Sequence, residues 1–271
     1  MSSRALVLVH GFLGASNNWL GVNSKLRASA DFAGWDLICP DLRWHSGDPR
    51  RLESDLRPTT LAVAEDLAKT LAQVEARELL VLGHSFGLRP LLKIVAHGML
   101  PDKKILGLIA EDSSPVLSDH GSDQLELILG KTPVPFATRE AARQYFDDTF
   151  GASSAMSRFL LSNVREDPER GGHTWRFSES ILLELLRSSR AESLEPEWLS
   201  YTGPVYMVVG DRSAHLNASR AEHWQRVRTE RGRATELAYV AGAGHWVHAD
   251  QPEGFAVAIL DILSKVNKLN L

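Results

Sequence analysis

The segment Leu79-Leu80-Val81-Leu82-Gly83-His84-Ser85-Phe86-Gly87 restricts the fold of this 271-residue chain more than any other. An unbroken apolar run meets Gly-x-Ser-x-Gly and then the amphipathic stretch Ser85–His97. A strand can turn into a helix this abruptly only where the positions flanking the turn lack a Cβ. Five more short apolar runs accompany it: Ala5–Val9, Asp36–Cys39, Ile105–Ala110, Val205–Val209 and Glu236–Val240. Their continuity suits strands covered on both faces, as in a parallel sheet. Helical patterns separate them: Leu61–Val74, with Leu61, Ala64, Leu67, Ala68 and Leu71 on one face, and Glu253–Val266 last. The alternation predicts an α/β protein with a doubly wound, mostly parallel sheet of about six strands.

The alternation lapses between Val116 and Tyr201. Helices are expected there at Gln124–Leu129, Arg139–Phe150, Ser153–Val164 and Ser178–Arg190, punctuated by Pro133, Pro135, Pro168 and Pro196, with no strand. We therefore expect a core of residues 1–115 and 202–271, with residues 116–201 a helical lid inserted before the penultimate strand.

Composition narrows the partners. With 24% charged residues and a formal net charge of -4, nothing favours nucleic acid or an anionic surface. No run approaches the roughly 18 apolar residues of a membrane span, and the first residues lead straight into a strand instead of a secretory signal. The single cysteine, Cys39, excludes an internal disulfide and reads as a buried, inert thiol. These features lead us to expect a cytoplasmic protein; its oligomeric state is not legible.

The elbow would hold the Ser85 hydroxyl at the carboxyl edge of the sheet as a nucleophile, with the Phe86 amide facing a developing oxyanion. The first strand closes in His10-Gly11-Phe12-Leu13-Gly14, where the Phe12 amide would be the second donor and His10 would order the loop. After the last strand, Ala241-Gly242-Ala243-Gly244-His245 makes a small-residue loop that can deliver an imidazole. His245 is the candidate base. His248 is expected to pack or cap, and His84, His97, His120, His173 and His223 to be ordinary surface or packing residues. For the acid, two carboxylates end successive strands: Asp112, whose alternative role is capping the next helix, and Asp211, beside Arg212. Asp112 is favoured, with Asp211 the alternative; Asp41 precedes the serine and reads as structural. No histidine pair shows metal-ligand spacing with a third partner, so neither metal nor cofactor is expected. Trp175, Phe177 and Trp246, with Phe136, Phe146 and Phe159, are candidates for an apolar substrate pocket.

These motifs, with Asp41-Leu42-Arg43-Trp44-His45, Glu111-Asp112-Ser113-Ser114-Pro115-Val116 and Gly242–Ala249, resemble α/β-hydrolases, and more narrowly the YbfF-type esterases and their mitochondrial relatives. The resemblance implies an acid at the place of Asp112, because the later position usual in α/β-hydrolases holds Ser213. It also admits a mitochondrial location. Two positions depart from the pattern: His45-Ser46 in place of His-Gly, and Leu88 where a glycine commonly follows Gly87, which could narrow the space behind the nucleophile. The expected activity is hydrolysis of short- to medium-chain carboxylic esters or thioesters through an acyl-enzyme. A C–C hydrolase or lyase of the same fold, or a non-catalytic ligand receptor, are the alternatives.

Overall fold

The computed structural model describes residues 3–45, 56–152, 154–169 and 171–269; Ser46 and Ser153, named above, lie outside them. The strands are β1 (Arg4–Val9), β2 (Trp35–Ile38), β3 (Glu78–His84), β4 (Lys104–Glu111), β5 (Val164–Glu166), β6 (His173–Trp175), β7 (Val205–Gly210) and β8 (Thr235–Val240). Six of them form one sheet in the order β2-β1-β3-β4-β7-β8, each pair parallel. These six match the expected runs to within two residues at each end. Alternation along β1 sends Ala5, Val7 and Val9 into one core layer and Leu6 and Leu8 into the other.

Helices α1 (Leu20–Arg27), α2 (Thr60–Ala72) and α3 (Leu88–Ala96) accompany the first strands. The stretch between β4 and β7 holds α4 (Asp119–Lys131), α5 (Arg139–Phe150), α6 (Ala155–Ser162), α7 (Glu179–Arg190) and α8 (Glu195–Ser200). Beyond it come α9 (Ala218–Thr229), α10 (Val247–Asp250) and α11 (Pro252–Leu269). Side chains of α1 and α11 pack into one core layer and those of α2, α3 and α9 into the other, so both faces of the sheet are covered. Among the described residues no helix is long and apolar enough to cross a membrane.

Three expectations change. Leu61 is 47% exposed, because the buried stripe of α2 centres on Thr60, Val63, Leu67 and Leu71 and turns it outward. The segment expected to be free of strands contains the antiparallel pair β5–β6. Each strand has three residues, too few for a period of two to register in the sequence. Cys39 is only half-buried, just past the end of β2; burial still raises its thiol to about 11, which keeps it unreactive.

The inserted stretch is fastened to the sheet by buried polar contacts. Arg89 of α3, fully buried, donates to the carbonyls of Pro115, Ser189 and Glu192 at 3.2, 3.0 and 2.8 Å. Lys93 bridges Glu192 and Glu197, each at 2.8 Å. At the other side, Arg176 donates to the carbonyl of Gly14 at 3.0 Å.

Candidate active site

The loops after β1, β3, β4, β7 and β8 all leave the carboxyl edge of the parallel sheet. Strand order reverses between β1 and β3, the position where open α/β sheets form their ligand crevice. Ser85 sits there with φ +50°, a left-handed conformation that a serine adopts only under constraint. The constraint is tight packing around the turn. A Cβ at Gly83 would collide with the backbone of Leu88, and one at Gly87 would lie 2.5 Å from the carbonyl oxygens of Val9 and His10. Leu88 is fully buried in the core below, and Ser113 Oγ donates to the Ser85 carbonyl at 2.7 Å.

His245, in the loop after β8, places Nε2 3.0 Å from Ser85 Oγ and Nδ1 2.7 Å from Asp112 Oδ2. Asp112 is 2% exposed and also left-handed, at φ +43°. Its Oδ1 accepts from the Gly210 amide at 3.2 Å, and its Oδ2 from Ser213 Oγ at 2.6 Å. Burial pushes the Asp112 carboxyl up and the His245 imidazole down, while the Ser213 and Gly210 donors favour the ionised carboxylate. Asp112 does not cap the next helix; Ser118 does, accepting from the Gly121 amide at 3.2 Å. Asp211 is exposed, and its Oδ1 accepts from the Gly242 amide at 2.7 Å, holding the turn before His245 rather than the imidazole.

Several residues at the site carried little signal in the sequence. Ser213, at the position where α/β-hydrolases usually carry the acid, donates to Asp112 instead. His84, expected to be ordinary, is 4% exposed and lies directly behind His245, where its Nε2–H donates to the His245 carbonyl at 3.1 Å. Burial holds its pKa well below the usual histidine range. Glu111 is fully buried, and its Oε1 accepts from the His248 amide at 2.9 Å and from His248 Nδ1 at 2.7 Å. The ligand atoms of His84, Glu111 and His248 lie within 4.8 Å of one another, the one such group among the described residues that could hold a metal. Glu111 Oε1 is already occupied by two donors from His248, and we read the group as a clamp on the His245 loop.

Two other histidines order the loop after β1. His10 Nδ1–H donates to the Gly11 carbonyl at 2.9 Å, and its Nε2 accepts from the Leu42 amide at 3.0 Å. The His45 ring lies against Phe12 and Phe86, whose own rings meet edge-on at 5.1 Å. Burial lowers His10 to about 4 and His45 to about 3, so both are neutral near pH 7. In the unfolded chain they titrate near 6.5. The unfolded state therefore binds more protons below that value, and their contribution to stability is complete above about pH 6.5 and lost as the pH falls toward 4 for His10 and toward 3 for His45. The expected result is a Tm that declines steeply over this window and less steeply in a His45→Gln variant, read by thermal unfolding at each pH.

Ser85, His245 and Asp112 open onto a pocket lined by Phe12, Phe86, Trp246 and apolar side chains of the inserted stretch: Leu125, Ile128, Met156, Phe159, Leu160 and Leu186. Trp175 and Phe177, expected in that pocket, are not among its lining. Trp175, 2% exposed, stacks between Phe146 and Phe177, itself 5% exposed, and all three are buried in the core. Aromatic rings at this spacing bury against one another before they serve a cavity.

Comparison with known proteins agrees with this fold. Residues 6–258 match the sequence profile of the alpha/beta hydrolase family. The chain is similar to the mouse sn-1-specific diacylglycerol lipase ABHD11, 25% identical over 266 residues that cover 96% of this chain and 81% of the mouse protein. It is likewise similar to esterase YbfF of Escherichia coli (strain K12), 26% identical over 261 residues, 94% of this chain and 91% of that one. Among solved structures, E-2-(acetamidomethylene)succinate hydrolase superposes with a TM-score of 0.76 at 23% identity, over 97% of this chain and 92% of that one. A marine microorganism esterase gives 0.75 at 21%, over 96% and 95%. Six parallel strands with helices on both faces, and relatives named as esterases and lipases, point one way: the chain belongs to the alpha/beta hydrolase family.

Proposed function

We propose that the protein hydrolyses neutral carboxylic esters or thioesters of short to medium acyl chain, through a covalent intermediate on Ser85. The observation that carries this reading is the continuous line from Ser85 Oγ through His245 to Asp112, with spacings of 3.0 and 2.7 Å, at the mouth of an apolar pocket. His245 Nε2 takes the Ser85 proton as Oγ bonds to the substrate carbonyl carbon, and Asp112 stabilises the imidazolium through Nδ1–H. The amides of Phe12 and Phe86 hold the oxyanion, each contributing about 10²–10³ in rate. The imidazolium then protonates the departing alcohol or thiol. Water activated by the same imidazole releases the acid. Residues 116–201 act as the lid that shapes the acyl site.

The lining also bears on substrate charge. Among the described residues, the side chains around the pocket include no lysine or arginine. A carboxylate-bearing substrate, such as a succinate derivative, would enter an apolar site with no cation to receive it. That favours neutral acyl groups over the C–C hydrolase or lyase alternative. The test is the initial rate on p-nitrophenyl esters from acetate to decanoate, with labelling by a fluorophosphonate. We expect turnover greatest at short to medium chain length and stoichiometric labelling of the Ser85 peptide. Saturable ester binding with hydrolysis no faster than buffer would make the protein a receptor and overturn the proposal.

A further inference from the structure

His215 lies in the turn between β7 and α9, half-buried, with its ring on the wall of the same pocket. The ring stacks on that of His245 with centroids 4.0 Å apart and planes inclined by 18°. The turn that carries it is built on the candidate acid. Ser213 Oγ donates to Asp112 Oδ2 and accepts from the amides of His215 and Leu216 at 3.1 and 3.2 Å. Arg220 of α9 closes the turn from outside, donating to the His215 carbonyl at 3.1 Å and to the Val116 carbonyl at 3.4 Å. The inserted stretch meets this ring through Gly121 of α4. A Cβ at Gly121 would lie 2.5 Å from His215 Cδ2 and 2.9 Å from Nε2.

We propose that His215 is a positioning residue for the base: held between the glycine face of α4 and the ring of His245, it fixes the imidazole plane between Ser85 and Asp112. The inference rests on the serine-hydrolase reading above. Asp112 and Ser85 hold His245 through its two nitrogens, contacts that lie in the ring plane and do little to oppose a tilt out of it. A flat neighbour at 4.0 Å opposes that tilt. Gly121 has a purpose in this scheme. It lies in the first turn of α4, where a methyl group would meet the His215 ring at 2.5 Å and the capping Ser118 Oγ at 3.0 Å, so the ring has to give way.

The test is a double-mutant cycle on kcat, with the downfield Nδ1–H proton resonance of His245 as a second readout, assigned by its loss in Asp112→Asn. We expect His215→Ala to lower kcat about 10-fold to 10²-fold with KM changed less than about threefold, and to broaden the resonance. His215→Phe, which keeps a flat ring, should recover most of both. Gly121→Ala should lower kcat in the native background and change nothing further once His215 is alanine. A His215→Ala variant with native kcat and a sharp resonance overturns the proposal. So do additive losses in the cycle, or a fall in kcat that merely tracks a fall in folded fraction. The resonance does not depend on turnover, so a failure of the esterase reading would appear as absent hydrolysis in the native protein and remain separable from a failure of the stack.

Discussion

Replacing Ser85 by alanine is expected to lower kcat for p-nitrophenyl ester hydrolysis by about 10⁶-fold and to abolish fluorophosphonate labelling. His245→Ala should cost a similar factor, and the double variant little more, because nucleophile and base act as one unit. The hydroxyl and imidazole stand 3.0 Å apart, within reach for direct proton transfer. Folding should survive. Alanine meets the same left-handed strain at φ +50° as serine does, and the glycines that make room for the turn are untouched. Measured kcat within about tenfold of the native enzyme in Ser85→Ala would remove the serine from the mechanism.

The second large effect separates the two acid candidates. Asp112→Asn should lower kcat by about 10⁴-fold, whereas Asp211→Asn should leave it within about twofold. Asparagine is the informative replacement because it tolerates φ +43° and keeps the shape of the side chain, so the loss isolates the charge and the tautomer it enforces. With an amide at 112, His245 loses the acceptor that keeps its proton on Nδ1 and its lone pair toward Ser85. Asp211 reaches only the Gly242 amide, and its removal loosens a turn. Parallel kinetics of the two variants decide the matter, and the reverse ranking would transfer the acid role to Asp211.

Much of the architecture was legible because it rests on local rules. The buried strands read as unbroken apolar runs, and α5 begins and ends at the residues expected, with Thr138 accepting from the Ala141 amide as its cap. Besides the short pair β5–β6, the elements that escaped are those whose buried face is sparse or partly polar. Helix α9 buries Arg228, whose guanidinium donates to the carbonyls of Trp198, Tyr201 and Gly203, so its inward face shows no apolar period. Helix α1 buries only Val22 and Leu26.

The same division runs through the candidate site. Gly-x-Ser-x-Gly and the glycine-rich loop before His245 have local causes and could be read. The contacts of Ser213, His84, Glu111 and His215 arise only when loops from β3, β4, β7 and β8 converge, and no spacing along the chain encodes that meeting. The pocket followed the same logic. Trp246 is beside His245 in the chain and had to be near the site, while Trp175 had nearer apolar partners in Phe146 and Phe177.

The fully buried guanidinium of Arg89 limits how substrate can be admitted. It joins the helix that follows the nucleophile to Pro115, at one root of the insertion, and to Ser189 and Glu192, near the other. Swinging the whole insertion outward would strip two carbonyls, those of Ser189 and Glu192, from a cation held away from water, at a cost of several kcal/mol. Both roots are therefore held to the sheet, and Leu125, Met156 and Phe159, which line the pocket, lie farther out along the inserted stretch.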